Sequence, residues 1–392
     1  MTGPLEGVGV LDLSRLLPGG YATLLLADMG ADVVKIEEPG KGDYIRWSPP
    51  MAGEFSASHV ALNRNKRSMT LNLKSEDGRG VLLRLVAEAD VLVESFRPGV
   101  MERLGVGYGL LRERNPRLVY AAISGYGQDG PRSHEAGHDQ NYLAHAGALG
   151  IMGEESRRPT IPGLQIGDLA GGGMNAVIAV LAALYRRERT GTGDFCDVSM
   201  MDGIVSWLSI HAGAYNVTKA DPERERMPLS GLYPCYRIYP AADGWLSVGA
   251  LEPQFWAALV EAIDRPDLEG DAFAGGERRD EVIAELSDLF STRTRAEWLQ
   301  AFAGRDVCVA PVNGFGEALA DRQVRHRDMA FEVELPDGGA WTHVGNPIRL
   351  TGAPGDARRL PPPGLGQHTD EILHAAGFDA GEIARLRQAG AV

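Results

Sequence analysis

The pattern that most limits this chain is an early alternation of short apolar runs with one Ala- and Leu-rich segment. Gly7 to Leu13 reads as a buried strand, Pro18-Gly19-Gly20 as a turn, Tyr21 to Met29 as a helix and Ala31 to Glu37 as a second strand. Parallel strands cannot be joined by a tight turn, so a strand–helix–strand unit predicts a parallel sheet covered by helices. Glu76 to Glu88 adds an amphipathic helix, and Asp90 to Ser95, Leu118 to Ser124 and Phe195 to Met200 add strands. The expected fold is α/β: a large open parallel-sheet, Rossmann-like domain with a smaller α+β domain. The glycines after the first strand do not form G-x-G-x-x-G, so a nicotinamide dinucleotide site has little support.

Composition shifts beyond the helix expected at Met201 to Ala214, where Lys219 to Met227 is charged and loop-like. Gly231 to Leu251 alternates and is rich in aromatics, which predicts a hairpin turning at Ala242-Asp243-Gly244. A helix from Glu252 to Ile263 and two more within Asp280 to Ala303 follow. Residues 1–200 are therefore assigned to the large domain, 201–229 to a linking helix and loop, 230–320 to the small domain, and 321–392 to a return that completes the large one. The return is expected to hold strands near Phe331 to Leu335 and Ile348 to Leu350, then a final helix pair after His368.

The chain carries 39 basic and 53 acidic residues, a net charge of −14. That balance disfavours nonspecific attachment to nucleic acid or anionic membrane, so an anionic ligand must meet a local basic cluster. Cys196, Cys235 and Cys308 are widely spaced and match no zinc or redox motif, which fits a reducing compartment. Met1 to Glu6 lacks the regions of a signal peptide, and no apolar run reaches membrane-spanning length without interruption. The expectation is a soluble cytoplasmic protein.

The chemistry-bearing residues concentrate between Ala136 and Asn175. Asp168 is followed by Gly171-Gly172-Gly173 and an apolar run, Met174 to Tyr185, that reads as a buried helix. The expectation places Asp168 just before that helix, with the glycines leaving room for another molecule to approach the backbone. His138 follows the Leu118 to Ser124 strand, at the sheet edge that also carries Arg97 in Phe96-Arg97-Pro98-Gly99. Open α/β sheets bind ligands at that edge, and Arg can grip a phosphate or carboxylate bidentately. Arg64, Lys66, Arg67 and Lys74 form a basic cluster that either faces solvent or meets phosphates. By residue type alone an Asp before a helix is as readily an N-cap, and a lone His a core or surface residue.

Several segments together resemble the family III CoA-transferases, the CaiB/BaiF family. They include Leu5-Glu6-Gly7, Leu26 to Glu37, Asn65-Lys66-Arg67-Ser68, Phe96 to Gly99, Gly167-Asp168, Arg189 to Gly193 and Leu365 to Leu373. Within the family the chain is most similar to the alpha-methylacyl-CoA racemase branch, through Ala136-Gly137-His138-Asp139 with Asn141-Tyr142-Leu143, Gly249 to Phe255, and Asp306 to Val312. Leu17 stands near the position of the catalytic glutamine of formyl-CoA transferase, and no GGGGQ-like run occurs in the smaller domain. Leu164, Ser230 to Pro234 and Glu38 depart from the racemase pattern.

The resemblance implies an interlocked homodimer that inverts the 2-position of a 2-methylacyl-CoA through an enolate. His138 and Asp168 would be the two bases, backbone N–H groups of Gly171 to Gly173 would hold the enolate oxygen, and Glu252 would orient His138 from the same or the partner subunit. It also implies that Lys66, Arg67, Leu73, Lys74, Phe96, Arg97, Arg103, Gly137 and Tyr142 surround the CoA ester, with no metal and no prosthetic group. Two alternatives stand beside it. One is a CoA-transferase that forms an aspartyl-CoA thioester on Asp168, the other a non-catalytic acyl-CoA-binding protein.

Overall fold

The computed structural model describes residues 3–334 and 340–392. Its centre is a six-stranded parallel sheet of β1 (Gly9–Asp12), β2 (Asp32–Glu37), β3 (Lys66–Thr70), β4 (Val91–Glu94), β5 (Val119–Ser124) and β6 (Phe195–Ser199). The spatial order is β3-β2-β1-β4-β5-β6, so the direction of winding reverses between β1 and β4. At such a reversal the loops after the two central strands diverge and leave a crevice at their carboxyl ends.

The strands at the centre of the sheet, β1, β4 and β5, read as largely apolar runs because both faces are covered, whereas β3 at the edge reads Lys66-Arg67-Ser68-Met69-Thr70. On one face Leu11, Val34, Ile36 and Met69 pack with Val81, Leu82 and Val86 of the helix Glu76–Val86 and with Ile372, Leu373, Ile383 and Leu386 of the last two helices, Thr369–Ala375 and Ala380–Gln388. The returning tail also shields the edge strand β3: the His368 N–H donates to the Ser68 carbonyl at 2.9 Å and the Asn72 N–H to the Ala391 carbonyl at 2.8 Å. The other face is covered by α1 (Leu16–Asp28) and by a continuous helix in which a π-helical segment, Gly167–Met174, leads into an α-helix. In chain order α2 is Asp139–His145, α3 is that α-helix, Asn175–Thr190, and α4 is Met200–Trp207.

Several expectations shift. The turn expected at Pro18-Gly19-Gly20 lies inside α1, where Pro18 falls in the first turn and lacks only an N–H that the helix does not need. Gly19 is required there because a Cβ would stand 2.1 Å from that of Ser14. Residues 167–190 form one helix of 24 residues, apolar and long enough by composition to cross a membrane, contrary to the interrupted run expected. It packs on β5, β6 and α1. The helix expected from Met201 breaks at Leu208, giving α4 and a separate helix Ser209–Thr218. Ile348 to Leu350 is not a strand: the Asn346 side chain accepts the Ile348 N–H at 2.9 Å and turns the chain. The other tail strand is Ala330–Glu334, pairing with Ala340–Val344, and Leu335 lies outside the described residues.

The chain divides into two compact units. The larger holds residues 1–148, 162–209 and 322–392; the smaller holds 149–161 and 210–321. The segment 201–229 is thus divided between the units rather than linking them, and the smaller unit begins well before residue 230. The reason lies in Arg224, which donates to the carbonyls of Gly150, Glu154 and Arg157, and in Arg226, which pairs with Glu155 at 2.6 Å. Those contacts bind 149–161 to the segment after 210. Within the smaller unit the hairpin strands are Tyr236–Ala241 and Gly244–Gly249, joined by Val309–Pro311 into an antiparallel sheet backed by Trp256, Leu286, Phe290 and Trp298.

Under β1 and β2 lies a set of buried charges. The Asp12 carboxylate meets Lys66 at 3.2 Å, Thr23 at 2.6 Å and the Ser14 hydroxyl at 2.5 Å, and Lys35 bridges to Asp43 at 3.1 Å. Removing one member leaves the others charged and unpaired away from water, so Asp12→Ala is expected to lose about 3–5 kcal/mol of stability. Arg67→Ala, whose partners are exposed, is expected to lose at most about 1 kcal/mol. Urea unfolding of the two variants measures the contrast, and equal losses would contradict it.

Candidate active site

The carboxyl ends of the parallel strands open onto a cleft of about 910 Å³ whose lining residues all belong to the larger unit. The turn Ser14 to Leu16 after β1, Leu71 to Lys74 after β3 and Ser95 to Pro98 after β4 form much of it. Beyond β5 the wall continues through Gly137, His138, Asn141 and Tyr142, and Asp168 closes it. His138 and Asp168, far apart in sequence, therefore face one cavity.

His138 is exposed at the N-cap of α2, with its N–H donating to the Asn141 side chain at 3.0 Å. Its loop is pinned by Tyr142, whose hydroxyl donates to the Gly137 carbonyl at 2.6 Å. A Cβ on Gly137 would come within 2.7 Å of the Tyr142 ring, and one on Gly125 within 2.4 Å, so glycine at both positions leaves the space that the ring occupies.

Asp168 occupies the first turn of the π-helical segment, not a position before the helix. Its N–H donates to the Asp139 side chain at 2.9 Å. Burial pushes its carboxyl up to about 6, the nearby Asp139 carboxylate adds to the rise, and His138 opposes it. The three following glycines lie inside the helix, where their N–H groups are used by its own hydrogen bonds, so they are not free to hold an enolate oxygen. Nor do they make room for a ligand. A Cβ on Gly171 would meet the Met200 carbonyl at 2.7 Å and one on Gly173 the Pro18 carbonyl at 2.9 Å, so they let α1 and α4 approach the π-helix.

Of the basic residues, Arg97 lines the cleft, is exposed, and makes no ion pair among the described residues. Lys74 also lines it, paired with Glu38 at 2.9 Å, and Leu73 and Phe96 supply apolar wall. Lys66 does not reach the cleft: it is fully buried, with Asp12, Gly20, Thr23 and Asn63 around its ammonium. Arg67, its neighbour on the strand, points to the other face and pairs with Asp32 and Glu371. Arg103 stands outside the cleft, exposed at the end of the helical turn Val100–Arg103. Glu252 belongs to the smaller unit, exposed at the N-cap of the helix Pro253–Ala262 with no capping hydrogen bond from its side chain.

Sequence reasoning missed Arg15. Its guanidinium stands 5.3 Å from the ring centroids of both Tyr44 and Phe96 and 3.9 Å from Glu38, at the cleft wall. The available signal was positional, since Arg15 follows its strand much as Arg97 follows its own. Glu94 was also missed. Buried at the end of β4, it is pushed up to about 8 by desolvation and accepts the Phe96 N–H at 2.6 Å. Among the described residues no group of three or more His, Cys, Asp or Glu side chains is placed to hold a metal ion.

The Asp168 environment makes a direct test. In protein labelled with ¹³C at the Asp side-chain carboxyls, the resonance lost in Asp168→Asn is expected to titrate near pH 6, protonated below and ionised above. A midpoint near 4, the ordinary Asp range, would place that carboxyl in a water-like setting.

The sequence matches CoA-transferase family III over residues 5–369. It is 36% identical to the human succinyl-CoA:glutarate CoA-transferase, across 99% of this chain and 90% of that protein. It is also 36% identical to the human alpha-methylacyl-CoA racemase, across 97% of this chain and 96% of that protein. A CAIB/BAIF family protein from Brucella suis has a crystal structure that superimposes with a TM-score of 0.84 at 32% identity, covering 96% of this chain and all 100% of that one. Sequence and fold agree, and the chain belongs to CoA-transferase family III.

Proposed function

We propose that this chain is a racemase of 2-methylacyl-CoA thioesters. One observation carries the proposal: an imidazole and a carboxyl raised to about 6 face the same cleft. The hydrogen on the carbon next to a thioester carbonyl is weakly acidic, and inversion requires a base on one face and an acid on the other. Such a pair works best when both proton affinities lie near the operating pH. With one hand of substrate His138 takes the proton and Asp168 returns one to the opposite face; with the other hand the roles exchange. For the hand whose proton Asp168 removes, kcat/KM is expected to fall as pH drops below about 6, because the protonated carboxyl is no longer a base.

The transferase reading is favoured by one specific observation, the equal likeness to a succinyl-CoA:glutarate CoA-transferase. There the ionised Asp168 would attack the thioester carbonyl and expel the CoA thiolate, leaving a mixed anhydride. The thiolate would return to the Asp168 carbonyl and release the first acid, and the aspartyl-CoA thioester so formed would pass CoA to a second carboxylic acid by the same two steps in reverse. Incubation with a single hand of 2-methylacyl-CoA in D₂O separates the two. The racemase takes up α-deuterium with inversion, needs no second acid, and survives hydroxylamine. No uptake, together with acid-dependent CoA exchange and trapping of Asp168 by hydroxylamine, would establish the transferase. His138→Ala is expected to abolish inversion of both hands, and deuterium uptake by the hand whose proton His138 removes, while leaving CoA-ester binding intact.

Arg97 is the cation at the cleft with no ion pair among the described residues, which supports it as the contact for CoA phosphates. Arg97→Ala is expected to raise KM for CoA esters roughly tenfold to a hundredfold, the loss of a charge-assisted hydrogen bond or two. An unchanged KM would remove Arg97 from the phosphate site.

A further inference from the structure

The two proposed proton carriers sit on different elements, and one side chain joins them. Asp139 follows His138 directly and opens α2, yet its Oδ1 accepts the Asp168 N–H at 2.9 Å across the cleft wall. The same oxygen lies 3.1 Å from where a Cβ on Gly167 would stand, so glycine at 167 allows the carboxylate to reach the start of the π-helical segment. The contact is thus built from both sides. It fixes the main chain of Asp168 against the residue that follows His138.

We propose that Asp139 is the positioning residue of the proton-transfer pair: its carboxylate ties the helix start carrying Asp168 to the loop carrying His138, and its negative charge stands beside the Asp168 carboxyl during transfer. The inference rests on reading His138 and Asp168 as that pair. The charge has a consequence distinct from the tether, because a neighbouring anion makes it harder for Asp168 to ionise. Burial is the larger cause of the raised Asp168 carboxyl, Asp139 the next, and His138 acts in the opposite sense. Tyr142 on α2 feels Asp168, Asp139 and Arg97 and is itself pushed up to about 12 by burial, so it stays a neutral donor. Among the other elements packed on the segment, α1 carries Tyr21 and Asp28, α3 carries Tyr185 and the charged residues of its last turns, α4 carries Asp202, β5 carries Tyr120, and β6 carries Cys196 and Asp197. None of these is among the charges acting on Asp168.

Two substitutions separate tether from charge. Asp139→Asn keeps an oxygen to accept the Asp168 N–H but removes the charge; Asp139→Ala removes both. In Asp139→Asn the Asp168 carboxyl resonance is expected to titrate at least about half a unit lower, and the acid limb of α-proton exchange to move down with it. In Asp139→Ala the same shift is expected, together with a roughly hundredfold fall in kcat at little changed KM, since a misplaced reacting group loses rate rather than binding. Thermal unfolding of both variants shows whether each remains folded, and Asp139→Asn, close in shape to the native residue, carries the test if Asp139→Ala does not. Wild-type exchange with an unshifted Asp139→Asn profile would overturn this inference alone. No α-deuterium uptake by the wild-type protein would overturn the racemase reading and this inference with it.

Discussion

The cleft depends on an ion network that never touches solvent. Asp12 ends β1, and burial by itself would drive its carboxyl up; Lys35, Lys66, Ser14 and Thr23 together hold it below the usual carboxylate range. Because each buried charge is stabilised only while its partners stay in place, the network fixes the relative positions of β1, β2, β3 and α1. Lys35 carries the constraint onward to Asp43, which accepts the N–H groups of Leu16 and Ile45. Leu16 is held at φ +60, a conformation an L residue rarely adopts unaided. That anchored turn delivers Arg15 to the cleft wall and starts α1, whose Pro18 carbonyl faces Gly173 of the π-helical segment. One chain of contacts therefore runs from the end of β1 to the helix that carries Asp168.

Much of this architecture was legible in the sequence, and the failures share a physical cause. Strands buried on both faces advertise themselves as apolar runs, so β1, β2, β4, β5 and β6 fall close to their expected positions. The stretch Asn63 to Lys74 misled because its charges look alike in sequence. On a strand, however, Lys66 and Arg67 point to opposite faces, and their roles are set by partners remote in the chain, Asp12 for one and Asp32 with Glu371 for the other. A charge destined for a buried network cannot be told from one destined for a ligand until those partners are in view.

The glycines after Asp168 misled in a similar way. A run of three invites the idea of a ligand-binding turn, whereas here it permits two neighbouring helices to come within carbonyl contact of the π-helix. What the local sequence does convey is that something approaches closely. Whether that is substrate or the chain's own backbone is decided by the fold.

The two reactions proposed for this chain share Asp168 but ask different things of it. A nucleophilic carboxylate must be ionised and reachable, and a raised proton affinity makes the ion more nucleophilic while lowering the ionised fraction at a given pH. A group that both takes and returns a proton benefits directly, since its two protonation states must lie close in free energy at the working pH. In this chain burial and Asp139 both act toward holding the proton on Asp168. The charge of Asp139 sits there because its carboxylate caps the Asp168 main chain, so the feature that positions the carboxyl is also one that tunes it. An uncharged acceptor would suffice for the hydrogen bond alone; an anion at that position also raises the proton affinity of Asp168, a property that the proposed proton transfer uses.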